Sequence, residues 1–187
     1  MITNKFSIIH KIRNKIRIRG SNHKIILEDG SKTNIKGSNI SIKGYNHTLH
    51  IKKNTRIKNI NIQITGKNCK IIIGNDVIIG YNSYISAREE GTVLEIDDGA
   101  MLSKSAKIMT ADGHAIYENG KITNEARSIY IGKKVWIADN VTVLKGVSIG
   151  EGSIVGINST LTKSIPNNVI AIGNPARVKK VNIKWEH

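Results

Sequence analysis

The sequence predicts an all-β protein, a parallel β-helix, and three observations lead to that fold class. Apolar residues recur at every sixth position over a long C-terminal stretch. Hydrophobic residues form 39% of the chain and are mostly isoleucine and valine, whose β-branched side chains favour strands. Glycine and asparagine recur between them in turn sequences such as "GSN", "GYN" and "GKN". Together these features predict many short strands that are joined by tight turns.

The six-residue repeat is clearest after residue 130. An aliphatic residue stands at six successive steps, and a small or β-branched residue follows four positions after each. The first set is Ile131, Ile137, Val143, Ile149, Val155 and Leu161, and the second is Val135, Val141, Val147, Ser153, Ser159 and Ile165. Three hexapeptides make a triangular coil of about 18 residues, so Ile131 should stack on Ile149 and Ile137 on Val155. One coil cannot bury its own apolar face, so stability should come from stacking.

The same repeat appears upstream in another phase. One set of six-residue steps is Ile73, Ile79 and Ile85, and the next is Ile96, Leu102 and Ile108. The shift between the two sets indicates a small insertion around "AREEGT". The sequence between Ile108 and Ile131 breaks the repeat for longer, and residues 110–128 are predicted to form a protruding loop.

The domain organisation follows from these patterns. Residues 1–72 alternate apolar and polar residues more loosely and predict irregular N-terminal β-helix coils, with a separate small β domain as the alternative. Residues 73–180 form the hexapeptide-repeat β-helix, and residues 181–187 are a C-terminal tail. The end of the chain, "VKKVNIKWEH", lacks the repeat and is predicted to be a short terminal strand or helix.

Composition limits the partners and the compartment. A net charge of +15 suits an anionic partner, such as cofactor phosphates, an acidic polymer or nucleic acid. Aromatic residues are only 4% of the chain, and no helix-turn-helix or zinc-finger pattern occurs, so we expect no nucleic acid. The single cysteine, Cys69, excludes an internal disulfide and favours a reducing compartment. It is expected to be a structural or surface thiol.

The N-terminus is basic but lacks the apolar core of a signal peptide. We therefore expect a cytoplasmic protein. Membrane contact would be at most peripheral, through a set of basic residues that also suits a solvated edge: Lys11, Arg13, Lys15, Arg17 and Arg19.

Three segments resemble one enzyme family. They are "DGHAIY" (Asp112–Tyr117), the repeat segment Ile131–Lys163, and "AIGNPARVKK" (Ala171–Lys180). Together they resemble the hexapeptide-repeat acyltransferases with a left-handed β-helix, especially bacterial O-acetyltransferases of capsule, polysialic acid and O-antigen. The loop sequence "HAIYENGKIT" is similar to the active-site loop of polysialic acid O-acetyltransferases. The resemblance implies a left-handed β-helix with an active-site loop near 110–128. It also implies acetyl-CoA as donor, and a homotrimer with active sites in clefts between neighbouring prisms.

The loop supplies the candidate catalytic groups. A sugar hydroxyl is a poor nucleophile at neutral pH, and His114 is the expected general base. No acyl-enzyme is needed, and Cys69 lies in the wrong region to form one. Asp112 would orient the imidazole or hold the loop, or simply form an Asx turn with Gly113. The resemblance places Trp136 in the cleft, against the pantetheine or the acceptor, and subunit packing is the alternative.

Two residues are candidates for the acceptor site. Tyr117 would line the acceptor pocket, or pack the loop. Asn82, in "GYNSYIS", matches in type a cleft asparagine of related acetyltransferases, and asparagine is also a common turn residue.

The resemblance also assigns residues to acetyl-CoA. Lys163 and Arg177 suit the CoA phosphates, and Pro175 could lie on the adenine. Backbone N–H groups near Ala138, Gly156 and Ser159 would meet the pantetheine amides. The chain departs from many relatives at Ala115, after the loop histidine, and at Ala138, after "WI"; both changes leave the acceptor subclass open.

No metal site is expected. The β-helical γ-class carbonic anhydrases need three histidines around zinc. The histidines other than His114 lie outside the coils that carry it, namely His10, His23, His47, His50 and His187. The pair in "HTLH" has poor spacing for zinc.

The sequence therefore predicts a sugar O-acetyltransferase, and two alternatives stay open. One is N-acetylation of an amino-sugar nucleotide, which shares the fold and the donor. The other is a non-enzymatic basic β-helix that binds an anionic polysaccharide. The positive charge favours an acidic acceptor, such as a sialic-acid-containing capsule or lipopolysaccharide, over a neutral sugar.

Overall fold

The protein is a parallel β-helix with three faces, seen in a computed structural model that describes the backbone of residues 3–4 and 8–186 and the side chains of residues 11–186. His187 therefore lies outside the described residues. Along each coil the chain passes from the first face to the second and then to the third. The predicted all-β fold class, a left-handed parallel β-helix with a protruding loop near 110–128, is confirmed.

Each face is one sheet of stacked strands. The first face contains Lys15–Ser21, Asn39–Tyr45, Asn61–Lys67, Tyr84–Glu90, Lys107–Met109, Thr142–Val143 and Thr160–Leu161. The second face contains Thr3–Asn4, Lys24–Leu27, Thr48–Ile51, Lys70–Ile73, Val93–Ile96, Ile129–Ile131 and Ser148–Ile149. The third face contains Asn34–Lys36, Arg56–Lys58, Ile78–Ile79, Met101–Leu102, Trp136–Ile137, Ile154–Val155, Ile170–Gly173 and Ala176–Lys180.

The predicted register of the repeat is confirmed. Ile131 pairs with Ile149, and Ile137 pairs with Val155, in parallel. Both predicted sets of inward residues are buried, with exposures of 8% or less. They form one continuous apolar core with the isoleucines of the N-terminal coils. Stacking of the coils thus buries the apolar side chains that a single coil would leave exposed.

The N-terminal coils are longer than the hexapeptide coils because each has an insertion at one corner. Their first-face strands have seven residues, and each strand turns near its end through a residue with positive φ: Gly20, Gly44, Gly66 and Glu89. We call the stacked insertions at residues 19–23, 43–47, 65–69 and 88–92 the ledge. The expected insertion around "AREEGT" is its last layer. The extra residues shift the apolar repeat in every coil, which explains why it looks loose in the sequence.

The inside of the ledge is held by a ladder of buried polar groups. His23 and His47 stack with parallel rings 5.2 Å apart. The Nδ1 atom of each ring accepts a hydrogen bond from the N–H of the next layer, His47 and Cys69 respectively. The proton therefore lies on Nε2, which donates to a carbonyl of the same layer, Arg19 or Lys43. Both rings are neutral in this arrangement.

Cys69 continues this ladder. Its side chain is buried, and its Sγ donates to the carbonyl of Glu89 at 2.7 Å. Burial raises the pKa of the thiol. Cys69 is therefore a structural thiol, one of the two roles expected from the sequence.

The two ends of the β-helix differ. A short helix, Ile8–Arg13, precedes the first coil and lies against the strand Asn34–Lys36; no pattern in the sequence predicts it. At the other end, Ile170–Gly173 and Ala176–Lys180 pair antiparallel. The prediction of a strand or helix for the end of the chain is right up to Lys180 and wrong for residues 181–186, which have no regular structure.

The ledge glycines offer a direct test of the stacking. At Gly44, φ is 129° and an added Cβ would lie 2.0 Å from the carbonyl oxygen of Gly66. We expect Gly44→Ala to lower the free energy of unfolding by about 3 kcal/mol or more. Gly91→Ala is the matched control, because Gly91 also has positive φ but has nothing within 4 Å of an added Cβ. It should cost about 1 kcal/mol. Urea midpoints measure both; equal losses would contradict the account.

The histidine ladder predicts a pH dependence. Burial lowers the pKa of His47 from its ordinary value of 6.5. As the pH falls, His47 is therefore protonated in the unfolded chain before it is protonated in the folded chain. The contribution of His47 to stability is fully present above about pH 6.5 and is lost as the pH drops toward the lowered pKa. We expect the Tm to decrease between about pH 6.5 and 5. In His47→Asn this decrease should be smaller, although the variant starts from a lower Tm; an unchanged slope would exclude the ladder as its source.

Candidate active site

The loop that interrupts the repeat leaves the prism at the corner between the first and second faces. It departs after Ala111 and returns at Arg127, whose N–H donates to the carbonyl of Thr110 at 2.9 Å. Its outer part is a small hairpin of two strands, Tyr117–Glu118 and Lys121–Ile122. Residues 112–123 are exposed throughout.

Asn124 fixes the path of the loop. Its Nδ2 donates to Asp112 Oδ2 at 2.9 Å and to the carbonyl of His114 at 2.8 Å. Its Oδ1 accepts the N–H of Ile116 at 2.7 Å. One amide side chain thus ties together both ends of the segment that carries the histidine.

Lys145 connects this network to the prism. It lies at the corner of the next coil, and its Nζ donates to Asp112 Oδ2 at 2.5 Å and to the carbonyl of Asn124 at 2.6 Å. The hydrogen bond from Lys145, with that from Asn124, lowers the pKa of Asp112 below its ordinary value. The carboxylate is therefore charged at neutral pH and anchors the loop.

The hydrogen bonds of the Asp112 carboxylate distinguish between the roles expected for this residue. Among the described residues its carboxylate hydrogen-bonds to Lys145 and Asn124, and not to the imidazole of His114. Within this chain the carboxylate holds the loop, and its role in orienting the imidazole stays a prediction.

His114 is fixed through its backbone while its ring is left open. The carbonyl is held by Asn124, the residue is exposed, and none of the described residues forms a hydrogen bond with the ring. The imidazole is thus presented from an anchored loop with both nitrogens available to a substrate or to a second chain.

Trp136 lies on a different side of the prism. It belongs to the third face, which is opposite the corner that carries the loop. Its Nε1 donates to Ser103 Oγ at 3.2 Å, and the ring of Trp185 lies 5.8 Å away, tilted by 46°. Within one chain the structure does not bring Trp136 and His114 together.

The residues assigned to CoA lie toward the C-terminal end. Ala138 and Gly156 occupy equivalent turns of successive coils, and Ser159 lies beside the terminal hairpin, since its Oγ accepts the N–H of Gly173 at 3.0 Å. Pro175 and Arg177 are exposed on that hairpin, and Lys163 is exposed after the last first-face strand. The structure thus gathers Gly156, Ser159 and the hairpin at one end.

One detail of this assignment needs correction. The N–H groups of Ala138 and Gly156 donate to the carbonyls of Val155 and Ala171, each at 2.9 Å. They are therefore not free for the pantetheine, because the ladder between coils uses them. Ser159 is also buried, with 1% exposure. Any contact of these three residues with a ligand has to use other atoms.

The two acceptor candidates differ in their surroundings. Asn82 has φ of 60° at the corner between the third and first faces, and its N–H donates to the carbonyl of Asn59 at 2.9 Å. The turn alone thus accounts for an asparagine there. Tyr117 is 66% exposed on the loop hairpin, beside the exposed apolar residues Ile116 and Ile122.

Sequence reasoning missed Lys145 and Asn124, which hold the loop. Both are ordinary surface residue types at positions that the repeat leaves unspecified, so no local signal marks them. Their role depends on which coil corner lies beneath the loop, and only the folded register shows that.

Other kinds of site find no support in the described part of the chain. Among these residues, no group of three or more His, Cys, Asp and Glu side chains could hold a metal ion. No helix in the same range is long and apolar enough to cross a membrane.

Comparison with known proteins adds to this geometry. Residues 128–163 match the family described as bacterial transferase hexapeptide (six repeats). The chain is 32% identical to a polysialic acid O-acetyltransferase of Escherichia coli O1:K1 / APEC over 139 residues, which cover 73% of this chain and 44% of the relative. It is 39% identical to a putative colanic acid biosynthesis acetyltransferase of Escherichia coli K12 over 95 residues, covering 51% and 52%.

A solved structure extends the similarity over nearly the whole chain. The crystal structure of a polysialic acid O-acetyltransferase has a TM-score of 0.74 with this protein at 27% identity, and the match covers 93% of this chain and 90% of the other. By contrast, the chain spans about half the length of the curated relatives it matches.

The anchoring of the loop can be tested by hydrogen exchange. In Lys145→Met the loop loses its contacts with the prism, and we expect amide exchange across residues 112–126 to accelerate about tenfold or more. Asp112→Asn should have a smaller effect, because an amide oxygen still accepts the bond from Asn124. Exchange in the core strands should stay unchanged.

Lys133→Met is the control, since Lys133 is an exposed lysine at another corner of the coil that carries the loop. If it accelerates loop exchange as much as Lys145→Met does, the specific anchor is excluded.

Proposed function

Since the chain belongs to the hexapeptide-repeat acyltransferase family, we propose that it transfers an acetyl group from acetyl-CoA to a hydroxyl group of a bacterial surface carbohydrate. The observation that carries this proposal is the loop itself. It holds His114 by its backbone carbonyl, on a network anchored to Lys145, and leaves the imidazole unpartnered. A group that must take a proton from an incoming hydroxyl needs this kind of placement.

The proposed reaction is a direct transfer. A neutral ring nitrogen of His114 accepts the proton of the acceptor hydroxyl as its oxygen attacks the thioester carbonyl. The tetrahedral oxyanion then collapses, the C–S bond breaks, and the protonated His114 returns the proton to the CoA thiolate. No acyl-enzyme forms; Cys69 is buried in the ledge, two coils from the coil that carries the loop, and its pKa is raised.

Trp136 enters the site only if a second chain supplies it. We infer a homotrimer in which the loop of one chain faces the third face of the next, so that His114 and Trp136 come from different chains. The exposed apolar side chains of the loop hairpin, Ile116, Tyr117 and Ile122, support an interface there, because such a patch is unfavourable in water. Tyr117 would then line the acceptor pocket or the interface, and Asn82 of the neighbouring chain could reach the same cleft.

Acetyl-CoA would lie along the C-terminal coils. Arg177 and Lys163 are exposed cations beside Pro175 at that end, which suits the phosphates and adenine of the nucleotide. The pantetheine would follow the turns at Ala138 and Gly156 and pass Ser159, contacting backbone carbonyls and side-chain surfaces. We place the reaction in the cytoplasm, where acetyl-CoA is made.

The acceptor is proposed to be acidic. The net charge of +15 would concentrate an anionic glycan near the clefts. The names of the similar proteins, which act on polysialic acid or in colanic acid biosynthesis, are consistent with this. The alternatives, N-acetylation of an amino-sugar nucleotide and binding without catalysis, are separated by the assay below.

The test is release of CoA thiol from acetyl-CoA against a panel of acidic glycans, neutral glycans and amino-sugar nucleotides. We expect release that depends on an acidic glycan, and His114→Ala should lower kcat by about 100-fold or more, since it removes the base. The Tm of the variant should match wild type because the ring makes no contact that the fold requires.

Three other outcomes would change the account. Equal turnover in His114→Ala would exclude it as the base. Release with amino-sugar nucleotides alone would favour N-acetylation. Glycan binding without any thiol release would favour the non-enzymatic alternative.

A further inference from the structure

One arginine, Arg88, lies directly beneath the loop, and the fold alone does not explain why its side chain is held in place. The Nη2 of Arg88 donates to Gln63 Oε1 at 2.7 Å and to the hydroxyl of Tyr84 at 3.1 Å. Tyr84 in turn donates to the same Gln63 oxygen. Two side chains, Gln63 and Tyr84, thus fix one edge of the guanidinium.

The rest of the guanidinium group has no hydrogen-bond partner among the described residues. Nη1 has no hydrogen-bond partner among the described residues and lies 3.2 Å from the position that a Cβ on Gly113 would occupy. The next residue is His114. Nε is buried without a partner, and in the part of the chain that the structure describes no carboxylate lies within ion-pair distance of Arg88. A partly buried cation without a counter-ion is costly, which points to an anion that the site is meant to bind.

Arg88 is the first member of a column of cations. Arg88 is in register with Thr65, Thr65 with Lys43, and Lys43 with Arg19, all on the first face. Neighbouring strands are about 4.8 Å apart, so the column runs along the axis in regular steps away from the loop. Arg17 lies beside it in the strand of Arg19.

The surface around this column is polar and mostly basic. The alternating isoleucines of these strands point inward, so the other residues face outward. From the level of Lys15 to the level of Arg88, the outward positions of these strands hold basic, hydroxyl and amide side chains, together with Tyr84 and Met109. The acids of this face, Glu89 and Glu90, follow Arg88 at the ledge, where Glu90 forms an ion pair with Lys67 at 3.4 Å. Hydroxyl and amide groups between cations suit a hydroxyl-rich anionic chain.

We propose that this part of the first face is a binding track for an anionic polysaccharide, and that Arg88 anchors the carboxylate of the sugar residue next to the one that reacts at His114. The inference rests on the proposed function for its acceptor and extends it, because it assigns the acidic specificity to named residues. Arg88 is a specificity-determining residue, while Lys43 and Arg19 bind units farther along the polymer. A neutral sugar would leave the column unpaired.

Direct binding tests the track without catalysis. The probes are short and long oligomers of sialic acid, titrated calorimetrically without acetyl-CoA, with a neutral dextran oligomer as the reference. Arg88→Met should weaken binding of both sialic acid oligomers about tenfold or more. The double variant Arg19→Ala, Lys43→Ala should weaken the long oligomer up to about tenfold and leave the short one unchanged.

A matched double variant controls for net charge. Lys24 and Lys70 are exposed on the second face of the same coils and flank Thr48 in register, as Lys43 and Arg88 flank Thr65. Lys24→Ala, Lys70→Ala removes the same charge from another face and should leave binding nearly unchanged. Equal weakening by the two double variants would overturn the track and leave only a general electrostatic attraction.

Kinetics distinguish anchoring from a structural role. In Arg88→Met we expect a raised KM for the acidic acceptor with an unchanged KM for acetyl-CoA and an unchanged exchange rate in the loop. Arg88→Lys should recover part of the acceptor KM, because it keeps the charge but loses the fixed edge. A raised KM for both substrates with a looser loop would show that Arg88 only supports Gly113, and would overturn the proposal.

Two further outcomes separate this inference from its alternatives. If the sialic acid oligomers bind in the expected pattern but no condition gives thiol release, the proposed function is contradicted and the binding track is supported. Vesicles that contain phosphatidylglycerol provide the membrane arm. If the first-face variants abolish vesicle binding and leave the sialic acid oligomers unaffected, the track is a membrane surface and the proposal is wrong.

Discussion

The structure depends on one constraint, which is that the apolar interior of each coil is covered only by the coils above and below it. Short strands of two residues, such as Trp136–Ile137 and Ile154–Val155, would have no stability alone. In register they form a continuous core, and their N–H groups are consumed by the ladder between coils. The backbone of the faces is therefore already hydrogen-bonded, and function has to come from side chains on the faces and from the segments that depart from the repeat.

Two departures from the repeat lie next to each other. The ledge lengthens the N-terminal coils at the corner between the first and second faces, and the loop leaves the prism at the same corner one coil later. Arg88, in the last layer of the ledge, therefore lies under Gly113 in the loop. The proposed base and the proposed acceptor track become neighbours because the insertions share one corner, although Arg88 and His114 belong to different coils.

The sequence predicts the parts of this protein that repeat. The six-residue period was enough to fix which residues face inward and that Ile131 stacks on Ile149, because only one triangular packing satisfies it. The ledge was harder to predict: its glycines and histidines look like turn and surface residues, and their role appears only when four layers are stacked. Likewise, the pairing of Asp112 with Lys145 joins residues far apart in sequence, through a register that no local pattern encodes.

The correction at Ala138 and Gly156 has the same origin. Their N–H groups seemed available because turns of a solenoid are exposed, but the next coil uses them. The resemblance implied active sites between neighbouring prisms, and the positions of His114 and Trp136 on opposite sides of a single chain are consistent with it. That separation leads to the central claim, which is that each active site is completed by a second copy.

Mixing two inactive variants tests this claim most directly. His114→Ala and Trp136→Ala chains would be co-expressed with different tags, and the mixed oligomers assayed for CoA release with an acidic glycan. If the site lies between chains, about one cleft in four of a randomly mixed trimer carries both intact residues, so activity returns to a corresponding fraction of wild type. If the mixture stays as inactive as the separate variants, each site is built within one chain, and the account is wrong.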